Sequence, residues 1–118
     1  MDAEDLRRYV KFDEDAVHRE TVYETEHLWA QVLCLDVNQS HGPVSDPAAD
    51  AILTIVAGEA VVLVGAGRKR LKQWETALVP AKNELSISNA SPDPLVILMV
   101  AAPPPLMPAG EGAGEPSP

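Results

Sequence analysis

From residue 28 onward the chain alternates between short apolar runs and clusters of Gly, Pro, Asn and Ser. Residues 28–36 (LWAQVLCLD), 51–56 (AILTIV), 60–64 (AVVLV), 75–79 (ETALV), 84–88 (ELSIS) and 95–101 (LVILMVA) each read as a strand. Weaker strand signals lie at 8–12, 20–25 and 68–72. Gly58-Glu59 is a tight connection, Pro80-Ala81-Lys82-Asn83 a turn, and Ser91-Pro92-Asp93-Pro94 a breaker. No stretch supports three helical turns. The opening DAEDLRR fits one turn, capped by Asp2 or Asp5. Residues 37–50 (VNQSHGPVSDPAAD) read as a long loop at the rim of a pocket. Short strands at this spacing predict an antiparallel sandwich or barrel. Its interior is expected to hold Leu53, Ile55, Val62, Leu78, Leu85, Ile87, Val96, Leu98 and Val100, or their strand-alternate neighbours, because several strands are apolar on both faces.

A length of 118 residues allows one ordinary domain. We place a barrel with an N-terminal arm at 1–103 and a flexible Pro- and Gly-rich tail at 104–118. The net charge of −9, from 18 acidic and 9 basic residues, argues against nucleic acid and against an anionic membrane surface as partner. Aromatic residues are 4% of the chain, so the core must be aliphatic. The single cysteine, Cys34, excludes an internal disulfide and a multi-cysteine zinc site. Residues 1–8 carry no leader-like apolar segment, and no apolar run reaches the ~20 residues of a membrane helix, so a cytoplasmic location is expected.

The order of events from residue 33 carries a resemblance. A strand leads to an Asn-Gln turn, His41-Gly42-Pro43, Asp50 and an apolar strand. Gly58-Glu59, a second apolar strand, Gly65-Ala66-Gly67 and a basic strand follow. Trp74-Glu75, Val79-Pro80-Ala81 and Asn89 complete the series. This resembles the cupin family of double-stranded β-helix (jelly-roll) barrels, over roughly residues 30–103. The first family motif runs glycine, two histidines, glutamate, glycine; the second runs glycine, proline, glycine, histidine, asparagine. Gly58, Pro80 and Asn89 match. Asn38, Trp74 and Lys82 stand at family glycine positions, and Asn38, or Asn83 beside Lys82, can supply the left-handed backbone. The four metal-ligand positions are Val44, Asp46, Ala51 and Leu85. Three of these lack a lone pair, so the resemblance implies the fold without its usual metal, and no cofactor is expected.

Other residues read more plainly. His18 and His27 lie among acidic residues and read as solvated. Cys34, between apolar neighbours, reads as a buried inert thiol. Trp29 and Trp74 are core or interface fillers, or ligand-stacking faces. Arg68-Lys69-Arg70-x-Lys72 reads as a solvated strand facing the acidic arm of residues 2–26, within the molecule or across a dimer, ahead of a site for an anion or an acidic partner segment. Glu59 and Glu75 fall in turns, without paired-carboxylate geometry.

The leading expectation is a non-catalytic, metal-free cupin that binds a small apolar or amphipathic molecule in the barrel, or acts as an interaction or regulatory module. Its pocket is expected to hold Val44, Asp46, Ala51, Leu85, His41 and Trp29, with a volume of roughly a few hundred Å³. The alternative is an enzyme with a relocated weak metal or acid–base site at the barrel mouth, formed by His41, Asp46 and Asp50. Apolar residues on both faces of a sheet further suggest a homodimer.

Overall fold

The structure, a computed structural model, describes residues 1–105. From residue 106 on, the tail expected at 104–118 lies outside the described residues. The strands are β1 (His18–Glu24), β2 (Trp29–Leu35), β3 (Ser40–Val44), β4 (Asp50–Ala57), β5 (Ala60–Val64), β6 (Gly67–Leu71), β7 (Thr76–Val79), β8 (Leu85–Asn89) and β9 (Leu95–Ala102). They form two antiparallel sheets, ordered β1-β2-β9-β4-β7 and β3-β8-β5-β6. This is the jelly-roll arrangement expected from the sequence. Among the described residues, no helix is long and apolar enough to cross a membrane.

Strand alternation sorts side chains between the inner and outer faces. Leu33 and Leu35 of β2, Leu53 and Ile55 of β4, Val62 of β5, Leu85 and Ile87 of β8, and Leu95 and Ile97 of β9 fill the space between the sheets. On β7 and β9 the strand-alternate residues point inward. Val79 is buried while Leu78 is 61% exposed, because Leu78 pairs with Ile52 on the outer face. Val96 and Leu98 belong to a second cluster outside the five-stranded sheet, where Leu6, Tyr9 and Val10 cover Val32 and Cys34. Cys34 is fully buried and its thiol lies 3.8 Å from the Tyr9 carbonyl oxygen; burial pushes its pKa up.

Two local expectations need correction. Residues 8–12 form no strand. The chain there makes a 3-10 turn over Leu6–Tyr9, and Asp5 caps it by accepting from the Arg7 amide at 3.0 Å. The expected loop 37–50 contains β3. Gly42 and Pro43 hid this strand, since both residues ordinarily mark loops. β3 tolerates them because it is an edge strand whose register shifts between His41 and Val44.

The turns keep the resemblance's backbone without its glycines. Asn38 (φ 68°), Trp74 (φ 75°) and Lys82 (φ 74°) all adopt the left-handed conformation; at the second inner turn it is Lys82 that does so. Gly58 (φ 88°) is required more strictly, because an added Cβ would lie 2.6 Å from the Pro94 carbonyl oxygen. The basic run of β6 also lies on an edge strand. Arg70 pairs there with Glu59 at 3.2 Å and with the Ala90 carbonyl, and so not with the acidic arm of its own chain.

Asn89 joins the ends of several strands. Its amide donates to the carbonyls of Leu35, Asp36 and Asp93 at 2.9–3.3 Å, and its oxygen accepts from the Ser91 backbone at 3.0 Å. Asn89→Ala removes all of these and is expected to lower unfolding stability by about 2–3 kcal/mol. Urea denaturation would check this, and an unshifted midpoint would show that the clasp is dispensable.

Candidate functional site

A cavity of about 110 Å³ opens at one end of the space between the sheets. Its origin lies in side-chain size. Deeper in the core, the inward positions of β2, β4 and β9 carry Leu33, Leu35, Ile55, Leu95 and Ile97. At the mouth the inward residues of β4 and β9 are Ala51 and Ala101, which pair directly with each other. Ala101 is paired on its other side with Trp29. Two methyl groups where the deeper layers carry four-carbon side chains leave room that the opposite sheet does not fill.

All six residues expected at a pocket line this cavity: Trp29, His41, Val44, Asp46, Ala51 and Leu85. Val44 and Leu85, two of the family's metal-ligand positions, are register partners across β3 and β8. The volume is smaller than the few hundred Å³ expected, because Val79, Leu85 and Met99 close in on the space. Reading the sequence alone misses Arg19, Gln31 and Met99, which also line it. Gln31 had a signal: it is the one polar residue within the run LWAQVLCL and shares strand parity with Trp29, Leu33 and Leu35. Arg19 had none, since only the pairing of β1 with β2 brings it to the mouth.

The polar groups differ sharply in what occupies them. Trp29 donates its indole N–H to the Thr21 hydroxyl at 2.9 Å, so its ring face is what remains for a ligand. Asp46 organises the β3–β4 loop: its Oδ1 accepts from the amides of Ala48 and Ala49, both at 2.8 Å, and its carbonyl accepts from Lys82 at 2.7 Å. Asp50 is exposed, on the opposite face of β4 from Ala51, and its carboxylate accepts from the Ala81 amide at 2.8 Å. Burial lowers the pKa of His41 to about 4, and the Arg19 charge adds to the effect. His41 is therefore a neutral imidazole near pH 7.

The grouping of His41, Asp46 and Asp50 is not assembled around a common point. His41 and Asp46 line the cavity, whereas Asp50 lies on the outer face of β4 with its carboxylate on the Ala81 amide. An imidazole with a pKa near 4 is a weak general base at neutral pH.

The residues present do not fit the first-row metal that the cupin barrel commonly holds. Val44, Ala51 and Leu85 offer hydrocarbon where ligands would stand, and one Asp46 oxygen already accepts two amide protons. Among the described residues, no group of three His, Cys, Asp or Glu side chains is arranged to hold a metal ion.

No protein-family model and no curated protein matches the sequence. Solved structures do. The chain is similar to the protein TT1209 of Thermus thermophilus, with a TM-score of 0.85 and 26% identity over 89% of this chain and 100% of that one. It is similar to a Klebsiella pneumoniae protein with a double-stranded β-helix domain, with a TM-score of 0.80 and 24% identity over 86% of this chain and 89% of that one. An RmlC-like cupin protein of Desulfovibrio desulfuricans superposes with a TM-score of 0.79 and 18% identity, over 88% of this chain and 98% of that one. Sheet order, strand register and these likenesses agree: the chain has the double-stranded β-helix fold of the cupins.

Proposed function

We propose that this cupin-fold chain is metal-free and non-catalytic, and that it holds a small apolar or amphipathic molecule at the mouth of its barrel. One observation carries the reading. Three of the four family metal positions are hydrocarbon side chains, and they line a real cavity instead of being packed shut. The walls also include Val79, Met99 and Ala101, with a few polar groups set among them, as in small-molecule sites generally. Size limits the ligand. A dry apolar cavity of ~150 Å³ accepts benzene, so about 110 Å³ accepts a group somewhat smaller, with the rest of the molecule in the open mouth. Among the described residues lining the cavity there is no Ser, Cys or Lys set beside a His to act as an activated nucleophile, which supports binding over catalysis. The reduced, buried Cys34 suits a cytoplasmic setting.

The outer face of the five-stranded sheet supports a homodimer. Ile52 and Leu78, 47% and 61% exposed, are register partners there, and Val100 continues the row on β9. A second copy presenting the same uncharged row would cover it. Sedimentation of the wild type is expected to give a dimer and Leu78→Glu a monomer. A monomeric wild type would remove this assembly.

A fragment screen by ligand-observed NMR is expected to yield binders that compete with one another. Ala101→Leu, which fills the mouth, should abolish their binding without unfolding the protein. Binders unaffected by Ala101→Leu, or no binders at all, would count against the cavity as the site.

His41 sets a pH dependence. Its folded pKa, about 4, lies below its ordinary value of 6.5, so between those limits the unfolded chain binds a proton that the folded chain does not. Stability is therefore present above pH 6.5 and is lost as the pH falls toward 4, by on the order of 3 kcal/mol. His41→Asn should flatten the difference between pH 7 and pH 5 in urea unfolding. Parallel curves for the two proteins would show that His41 is not held neutral.

A further inference from the structure

We propose that the ligand of this cavity is a small monocarboxylate with a short apolar tail, its carboxylate bound by Arg19 and Gln31. This rests on the small-molecule reading and narrows it to a chemical class.

Gln31 is 4% exposed and belongs to the inward-facing row of β2. Its side-chain amide lines the cavity and has no hydrogen-bond partner among the described residues. Native proteins rarely leave a buried amide so, because desolvation without a replacement partner is costly. A ligand oxygen in the cavity would accept from that amide.

Arg19 supplies the complementary charge. On β1 it pairs with Leu33, two residues along β2 from Gln31 and on the same face. It is therefore the diagonal neighbour of Gln31, at a separation that long side chains span. Arg19 is half-buried, lines the same cavity, and is paired with no carboxylate among the described residues. A guanidinium drawn from water beside an apolar wall, with no ion pair among the described residues, is matched best by a planar carboxylate, which its fork binds at two points.

The charge count favours a monoanion. Among the described residues, Arg19 is the one cation lining the mouth, and the neutral His41 adds a hydrogen-bonding group without a second positive charge. The tail would lie against Ala51, Val79, Leu85 and Met99. A cavity of about 110 Å³ holds roughly three to five carbons.

The test is a titration of the ¹⁵N-labelled full chain with butanoate and pentanoate. Butanamide, 1-butanol and inorganic phosphate serve as comparisons. The Gln31 amide and Arg19 guanidinium signals are followed. Saturable shifts with the two acids are expected, with affinity roughly tenfold above that of the amide, the alcohol and phosphate. Arg19→Gln should cost the acids about tenfold and leave 1-butanol within about twofold. Arg19→Lys should restore part of the loss, which a merely structural effect would not. Equal binding of acid, amide and alcohol, unchanged by Arg19→Gln, would overturn the carboxylate assignment while small-molecule binding stood. Phosphate binding as tightly as butanoate would also overturn it. If none of the probes shifts the cavity signals, the assignment and the cavity reading fail together.

Discussion

The register of β2 against β9, and of β9 against β4, is the constraint on which the site depends. It pairs Trp29 with Ala101, Gln31 with Met99, and Ala101 with Ala51. Side chains alternate with a period of two, so a slip of one residue would turn Gln31 outward and bring Val32 in. The slip is opposed from both faces. Inside, Leu33, Leu35, Ile55 and Ile97 interlock between the sheets. Outside, the N-terminal turn packs Leu6, Tyr9 and Val10 over Val32 and Cys34. The cavity is thus the unfilled end of a register set elsewhere by well-packed aliphatic side chains.

Frame and chemistry answer to separate physical demands in this chain. The cupin frame needs left-handed residues at its turns and a polar clasp at the end of β8. Asn38, Trp74 and Lys82 accept the strained backbone where glycine would adopt it freely, and Asn89 makes the clasp. A metal needs converging lone pairs, and Val44, Ala51 and Leu85 withhold them. Losing ligands leaves turn geometry untouched, because the ligands point inward while the turns lie at the strand ends.

Much of the frame was legible in the sequence because its signals are local. Apolar runs between Gly and Pro clusters marked the strands that β2, β4, β5 and β7 to β9 occupy, weaker signals at 20–25 and 68–72 fell on β1 and β6, and Gly58, Pro80 and Asn89 carried the resemblance. β3 was not legible, since its Gly-Pro pair suits an edge strand only once β8 lies beside it. Nor could periodicity choose between Leu78 and Val79, or between Val96 and Ile97, where both faces of a strand are apolar; the pairing of whole sheets decides. At the site, Val44, Asp46, Ala51 and Leu85 came from motif spacing. Arg19 reaches the cavity through a strand pairing that leaves no trace in the neighbouring residues.

Native mass spectrometry of untagged protein, purified without chelators, tests most directly the idea that hydrocarbon has replaced the metal at this barrel mouth. The expected spectrum shows the polypeptide alone or with a small organic adduct, lost on gentle activation. A stoichiometric increment of a first-row transition metal would contradict that reading.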